Sequence, residues 1–278
     1  MKFIYENDRG KIVMQGGGAE VFNIIEIRGL SLPESDINSV YYPNMAGCVV
    51  ESVTPQERAI TISADARDAK GSNILRAMNV FSTPGTITIT SGGKTRKISA
   101  RCTSFEQNKR RGTFVPFAVQ FMADDPYFTD MYETKTVISK RENLIKTLLT
   151  MPCVLSARKN EAQLINKGDA PAEPTFTIIS LGGAVCPKGI VIENLRTNDK
   201  IKLNTDIGAG EKIVVDVKNR KITSSTRGNI IACLDNETSI SDFSLDLGVS
   251  DVKIFAEDIE GELYAECSFN NSYICACV

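Results

Sequence analysis

Apolar and polar residues alternate along most of this chain, the period-two signature of half-buried strands. The sharpest case is Thr86-Ile87-Thr88-Ile89-Thr90. Ser91-Gly92-Gly93-Lys94 follows, and then Ile98, Ala100 and Cys102 on alternate positions. Two adjacent glycines supply the positive φ angles of a tight two-residue turn, so 86–104 is predicted to be a β-hairpin. A further strand, Thr113 to Met122, is predicted after a basic turn at 109–112. One stretch has a helical period instead. Ile74, Leu75, Met78 and Phe81 fall on one helical face, Ser72 is placed to cap the start, and Pro84-Gly85 ends it. Such a helix is expected to cover one face of a sheet.

Residues 29–47 break the alternation. Gly29-Leu30-Ser31-Leu32-Pro33-Glu34-Ser35-Asp36 and Tyr41-Tyr42-Pro43-Asn44-Met45-Ala46-Gly47 mix turn formers with apolar and aromatic residues. A long excursion inside a compact domain is often functional. Two readings stand: an arm or hairpin that touches a neighbouring subunit, or a lid folded over its own domain. The first domain is expected to close near Asp124-Asp125-Pro126-Tyr127-Phe128. From about 136 strands become shorter and turns more frequent. Candidate strands are 174–180, 189–193, 200–204, 211–217, 220–223, 252–256, 262–269 and 272–277, a pattern typical of an antiparallel β-sandwich. Residues 143–155 are apolar and fit either a strand or a short helix. The division expected is an N-terminal domain at 1–128, a linker at 129–142 and a C-terminal domain at 143–278.

Composition narrows the chemistry. With 278 residues, the chain is long enough for two domains that each bury a core. A 42% hydrophobic and 24% charged composition excludes a disordered chain. The net charge of -2, from 32 basic and 34 acidic residues, gives no electrostatic reason to expect nucleic acid or an anionic membrane as partner. The basic run Lys109-Arg110-Arg111 reads as a solvated turn. No apolar stretch approaches the ~20 residues that span a bilayer, and the start lacks the apolar region of a signal peptide. The protein is therefore expected to be made in the cytoplasm, with its eight scattered cysteines reduced. Histidine is absent, which removes Ser-His-Asp triads, Cys-His pairs and His-ligated metals. Tryptophan, a frequent sugar-stacking platform, is absent too.

The remaining candidates for chemistry have plainer readings. Gly16-Gly17-Gly18 lacks the Gly-Lys-Ser/Thr ending of a phosphate loop and reads as a strand connection. Asp124 and Asp125 are neighbours that cap the turn before Pro126, rather than two acids across a cleft. Asp235 and Glu237 have no third acid nearby to argue for calcium. The dispersed acids Asp246, Asp251, Glu257, Asp258, Glu260 and Glu262 read as a solvated edge. Cys275 and Cys277 share a strand face and read as core residues rather than a metal or redox pair. No reaction centre, metal site or cofactor site emerges, and the chain is read as a non-enzyme.

Three stretches, in this order, resemble one family. The first runs from Thr83-Pro84-Gly85-Thr86 through the hairpin to Phe117-Ala118-Val119-Gln120-Phe121-Met122-Ala123-Asp124-Asp125-Pro126-Tyr127-Phe128. The second is Ile165-Asn166-Lys167-Gly168-Asp169-Ala170-Pro171-Ala172-Glu173-Pro174. The third is Val214-Val215-Asp216. Together they resemble the distal tail proteins of siphophages and related prophages. One departure is the family's proline-glycine-arginine-aspartate-glycine turn, which here reads Pro43-Asn44-Met45-Ala46-Gly47, with Asn44 and Gly47 the residues that can keep the turn.

The resemblance implies a mainly β chain: an N-terminal β-sandwich-like domain with one helix and a β-hairpin, then a C-terminal galectin-like antiparallel β-sandwich. It also implies a homo-hexameric ring in the virion tail tip, built by the N-terminal domains around the channel through which DNA passes, with the sandwiches projecting outward. The implied partners are the tail tube protein, the tail-associated lysin or tail fibre base, the tape measure protein and receptor-binding proteins. Residues expected at the subunit interface are Leu32, Pro33, Tyr41, Tyr42, Pro43, Asn44 and Met45 from the excursion, Lys94 and Arg96 from the hairpin, and Lys109, Arg110 and Arg111 from the basic turn. The competing reading is a carbohydrate-binding module that recognises a bacterial cell-wall glycan through its C-terminal sandwich. It needs a concave sheet face with aromatics, and of Tyr132, Phe176, Phe243, Phe255, Tyr264, Phe269 and Tyr273 most alternate as core residues would. A hydrolase is a third and weaker reading.

Overall fold

The computed structural model describes residues 1–18, 20–68, 70–143, 156–185, 189–256 and 260–276. Cys153, Cys186, Glu257, Asp258, Cys277 and the strand-or-helix question over most of 143–155 lie outside them. The chain is mainly β and divides into two compact units, 1–131 with 273–278, and 132–272.

The first unit holds β1 (Lys2–Asn7), β2 (Gly10–Gln15), β3 (Phe22–Arg28), β4 (Ser35–Val40), β5 (Val49–Pro55), β6 (Arg58–Arg67), α1 (Ser72–Phe81), β7 (Gly85–Ser91), β8 (Lys94–Gln107), β9 (Phe114–Ala123) and β10 (Phe128–Asp130). Its main sheet runs β10-β8-β7-β1-β2-β3-β6-β9. Strand β8 is long enough to pair twice: its first half with β7 and, past a bulge between Cys102 and Ser104, its second half with β9. The bulge re-aims the strand, so the sheet curls back on itself around one apolar interior. Strict alternation makes this possible. In β6 and β9 every second residue is buried, with Ile60, Ile62, Ala64 and Ala66 standing opposite Phe121, Val119, Phe117 and Val115.

Aromatic rings fill the centre of that interior. Tyr5 stacks on Phe121 at 5.0 Å, and Phe81 meets both edge-on at 5.4 and 5.3 Å. Full burial of such rings contributes roughly 2–3 kcal/mol each. The Tyr5 hydroxyl escapes an unpaired state by donating to the Thr83 carbonyl at 2.6 Å, and burial pushes its pKa up to about 12.

The 86–104 hairpin forms as expected. Ser91 pairs with Lys94, and Gly92 and Gly93 take φ of 57° and 80°, the two positive values of a type I′ turn. The helix forms over the expected residues, but its buried face is Ile74, Ala77, Val80 and Phe81. Leu75 and Met78, expected on that face, are exposed, because they lie about 100° round the helix from Ile74 and Ala77. Its cap also differs. Ser72 makes no capping bond; the buried Asp68 carboxylate accepts from the backbone of Gly71 at 2.7 Å and Ile74 at 2.9 Å. Burial opposes the Asp68 charge, yet these backbone donors win and hold its pKa below the usual carboxylate value.

The second unit holds β11 (Thr134–Asn143), β12 (Ser156–Lys159), β13 (Glu161–Asn166), β14 (Thr175–Val185), β15 (Ile190–Asn194), β16 (Lys200–Leu203), β17 (Lys212–Asp216), β18 (Lys221–Ser224), β19 (Gly228–Asn229), β20 (Gly248–Ala256) and β21 (Glu260–Phe269). They form two antiparallel sheets, β12-β11-β21-β14-β17-β18-β19 and β13-β20-β15-β16. Phe176, Ile178, Ile213, Val215 and Ala265 from the first meet Leu164, Val252, Ile254, Ile190 and Ile192 from the second in one core, the sandwich expected. Among the described residues of the expected strand 272–277, only Ser272–Tyr273 (β22) form a strand. Tyr273 to Ala276, expected in the C-terminal domain, pack within the first unit instead.

Candidate subunit interface

The excursion at 29–47 opens a hairpin of its own. Strands β4 and β5 form a separate two-stranded sheet, with Ser35 opposite Pro55, Ile37 opposite Val53 and Val40 opposite Val49. The Gln56 N–H donates to the Glu34 carbonyl at 2.8 Å and closes the base. Neither face of this arm is covered. Ile37, Val49, Val50 and Val53 are exposed, as are Tyr41, Tyr42 and Met45 at the tip. Asn44 and Gly47 both take positive φ, 64° and 89°, so the turn across 43–47 is kept with different residues. A lone two-stranded hairpin is marginal in water. Seven exposed apolar side chains on one arm are a surface built to be covered.

The arm's root is rigid. Gly29 takes φ +86°, and a Cβ there would stand 1.9 Å from the Ala59 carbonyl oxygen, which explains the glycine. The Arg58 side chain, 2% exposed, donates to the carbonyls of Gly29 at 2.7 Å and Ser31 at 2.6 Å. The same guanidinium donates to Pro126 at 2.6 Å and Ile274 at 2.7 Å, and lies 4.7 Å over the Phe128 ring. Four carbonyls and an aromatic face thus satisfy one buried cation. Burial lowers its pKa, against the opposing effect of Cys275, Asp125 and Tyr127. Sequence reasoning missed Arg58, because nothing local marks it. The aspartate-proline-aromatic-phenylalanine ending was the available signal: Pro126 and Phe128 are two of its partners.

The expected interface residues fall into three groups. Leu32, Tyr41, Tyr42, Pro43, Asn44 and Met45 are exposed along the arm. Lys94 is exposed at the 86–104 turn, and Lys109, Arg110 and Arg111 are exposed at the basic turn, where Arg110 also bonds the Asp68 carbonyl. Pro33 and Arg96 are buried. Arg96 is internally committed, lying 3.7 Å over the Tyr273 ring and donating to the Cys275 carbonyl.

The motifs read from sequence have structural duties. Asn166 is buried and donates to the carbonyls of Ala170 at 2.9 Å and Leu245 at 3.0 Å, while its oxygen accepts from Gly168 at 2.9 Å. Gly168 has no room for a side chain, since a Cβ would lie 2.1 Å from the Ser272 carbonyl oxygen. Asp216 caps the β17–β18 turn by accepting from Asn219 at 2.9 and 2.7 Å. Asp125 accepts from the Tyr127 N–H at 2.9 Å, the turn-capping duty expected, and Asp124 pairs with Arg101. Among the described residues no group of three or more Cys, Asp or Glu is placed to hold a metal.

Residues 167–273 match the family described as siphovirus-type tail component, C-terminal domain. The resemblance to siphophage distal tail proteins is thereby borne out. The fold agrees over the whole length: the crystal structure of the phage SPP1 Dit protein, described as a paradigm of the hub adsorption apparatus in phages infecting Gram-positive bacteria, superposes with a TM-score of 0.68 over 98% of both chains, at 13% identity. The baseplate of phage p2 in its activated conformation gives 0.49 over 97% of both chains, at 11% identity. No curated protein matches in sequence.

Proposed function

We propose that this tail component is a structural subunit of a siphophage tail tip, and that six copies close into a ring. The β4–β5 arm is the observation that carries the reading. Ring closure needs a head-to-tail contact in which one surface of a subunit meets a different surface of the next. An arm with a stiff root and a set of uncovered apolar side chains supplies one half of such a contact. Leu32, Tyr41, Tyr42, Pro43, Asn44 and Met45 are its proposed contact residues, with Lys94, Lys109, Arg110 and Arg111 as polar rim.

In this reading the first unit forms the ring, and the sandwich carries receptor-binding components. The ring joins the tail tube protein to the tail-associated lysin or fibre base, with the tape measure protein passing through it. No catalytic step is assigned to it. The test is the mass of the full chain beside a variant in which two glycines replace 35–55. A hexamer that the variant cannot form supports the reading. A variant that assembles like the parent removes the arm from the interface.

A further inference from the structure

The outer face of the four-stranded sheet in the second unit carries a cavity apart from the proposed contact residues of the arm. Ile190, Ile192 and Ile254 point into the core, so Val191 and Phe255 project to the other face. The register sets Val191 opposite Phe255 on β20 and opposite Lys202 on β16. These side chains make a cross-strand row. The 235–242 segment walls it on one side and is itself fixed: Asp235 accepts from Asn204 at 2.7 Å and from the Glu237 N–H at 2.9 Å, and pairs with Lys202 at 3.3 Å. The cavity volume is about 490 Å³.

Its chemistry is mixed in a specific way. Val191 and the half-buried Phe255 ring give an apolar floor, and Asn198, Asp199, Thr238 and Ser239 surround it with amide, carboxylate and hydroxyl groups. A pyranose has the matching surface, with C–H bonds on one face and vicinal hydroxyls around the rim. The ring face stacks against the sugar C–H groups, and planar amide or carboxylate acceptors take pairs of hydroxyls. Charge sets the kind of sugar. Asp199, Asp235, Glu237 and Asp242 line the cavity against Lys200 and Lys202. Lys200 and Lys202 are already neutralised, the first by Glu193 at 2.9 Å and the second by Asp235. Lys253, 5.1 Å from the centre of the Phe255 ring, offsets one more acid and leaves the surplus negative. That surplus repels phosphate or uronate groups.

We propose that this cavity binds a neutral saccharide unit, one or two rings in length, and rejects anionic sugars. The proposal goes beyond the ring role and stands independently of it. The test is saturation-transfer NMR on the full chain with glucose, galactose, N-acetylglucosamine and glucose 6-phosphate as probes. At least one neutral sugar is expected to receive saturation, with loss of the signal in Phe255→Ser and Asp199→Asn. Both side chains lie outside the core, and a thermal unfolding midpoint equal to the parent's confirms that each variant folds. Glucose 6-phosphate is expected to receive none. No transfer to any neutral sugar, undiminished transfer in folded Phe255→Ser, or preference for glucose 6-phosphate overturns the proposal. The arm-deleted variant is expected to keep the sugar signal, so failure of the ring and failure of this site read out separately.

Discussion

The Arg58 guanidinium donates to the Ile274 carbonyl at 2.7 Å across 216 positions of sequence. One side chain at the start of β6 therefore holds the last described stretch of the chain and, through Gly29 and Ser31, the root of the arm.

Replacing Arg58 with Met is expected to destabilise the first unit by about 3 kcal/mol or more, because it strips donors from four carbonyls in a buried place. Lys is expected to recover only part of this, having no planar fork. Urea unfolding followed by tyrosine fluorescence reads the change, since the chain has no tryptophan. A loss under about 0.5 kcal/mol, ordinary for a surface change, contradicts the assignment.

Gly168→Ala is expected to cost roughly 1–3 kcal/mol through overpacking against the Ser272 carbonyl. Calorimetry should show a lowered midpoint for the sandwich transition. An unchanged midpoint means the close approach relaxes freely.

Glu211 links the sandwich's stability to pH. Burial raises the cost of its charge, but Ser224, the Gly208 N–H, Thr226 and Arg227 outweigh it and draw the carboxyl from 4.5 to about 2. The folded value is depressed, so the stabilisation is present above 4.5 and is lost as pH falls from 4.5 towards 2. At 1.36 kcal/mol per unit it is on the order of 3 kcal/mol. Glu211→Gln is expected to be less stable at neutral pH and to show a flatter stability curve between about pH 5 and 2. Parallel curves for the two proteins contradict this role.

Triple substitution of Ile37, Tyr41 and Val53 by Ser is expected to leave folding stability within about 0.5 kcal/mol, because all three side chains are exposed. The same variant is expected to lose self-association. Size-exclusion chromatography with light scattering reads it, and an unchanged oligomer excludes these three residues from the contact.

Much of this was legible in the sequence where a residue's fate depends on its neighbours. Gly92-Gly93 between two alternating runs specified the 86–104 hairpin through turn geometry alone. Alternation likewise marked the sandwich strands. The arm or hairpin was visible as an excursion, but its two strands were not placed: with both faces exposed, no burial pattern imposes period two on β4 and β5. Leu75 and Met78 misled because an apolar stripe on a helix does not say which side the sheet takes, and here Ala77 and Val80 chose it. Tyr273 to Ala276 form an apolar run that reads as a strand, yet their place is set by Arg58 and Arg96, far away in sequence. The candidate interface was half legible for the same reason. Exposed arm residues announce themselves by composition, whereas the internal commitments of Arg96 and Pro33 require the fold.

Native mass spectrometry of the full chain over two orders of magnitude in concentration tests the ring most directly, because assembly follows mass action. The account predicts a species of six chains, each of 30.4 kDa, that grows with concentration and is missing when 35–55 are replaced by two glycines. A single chain or a dimer throughout that range contradicts it.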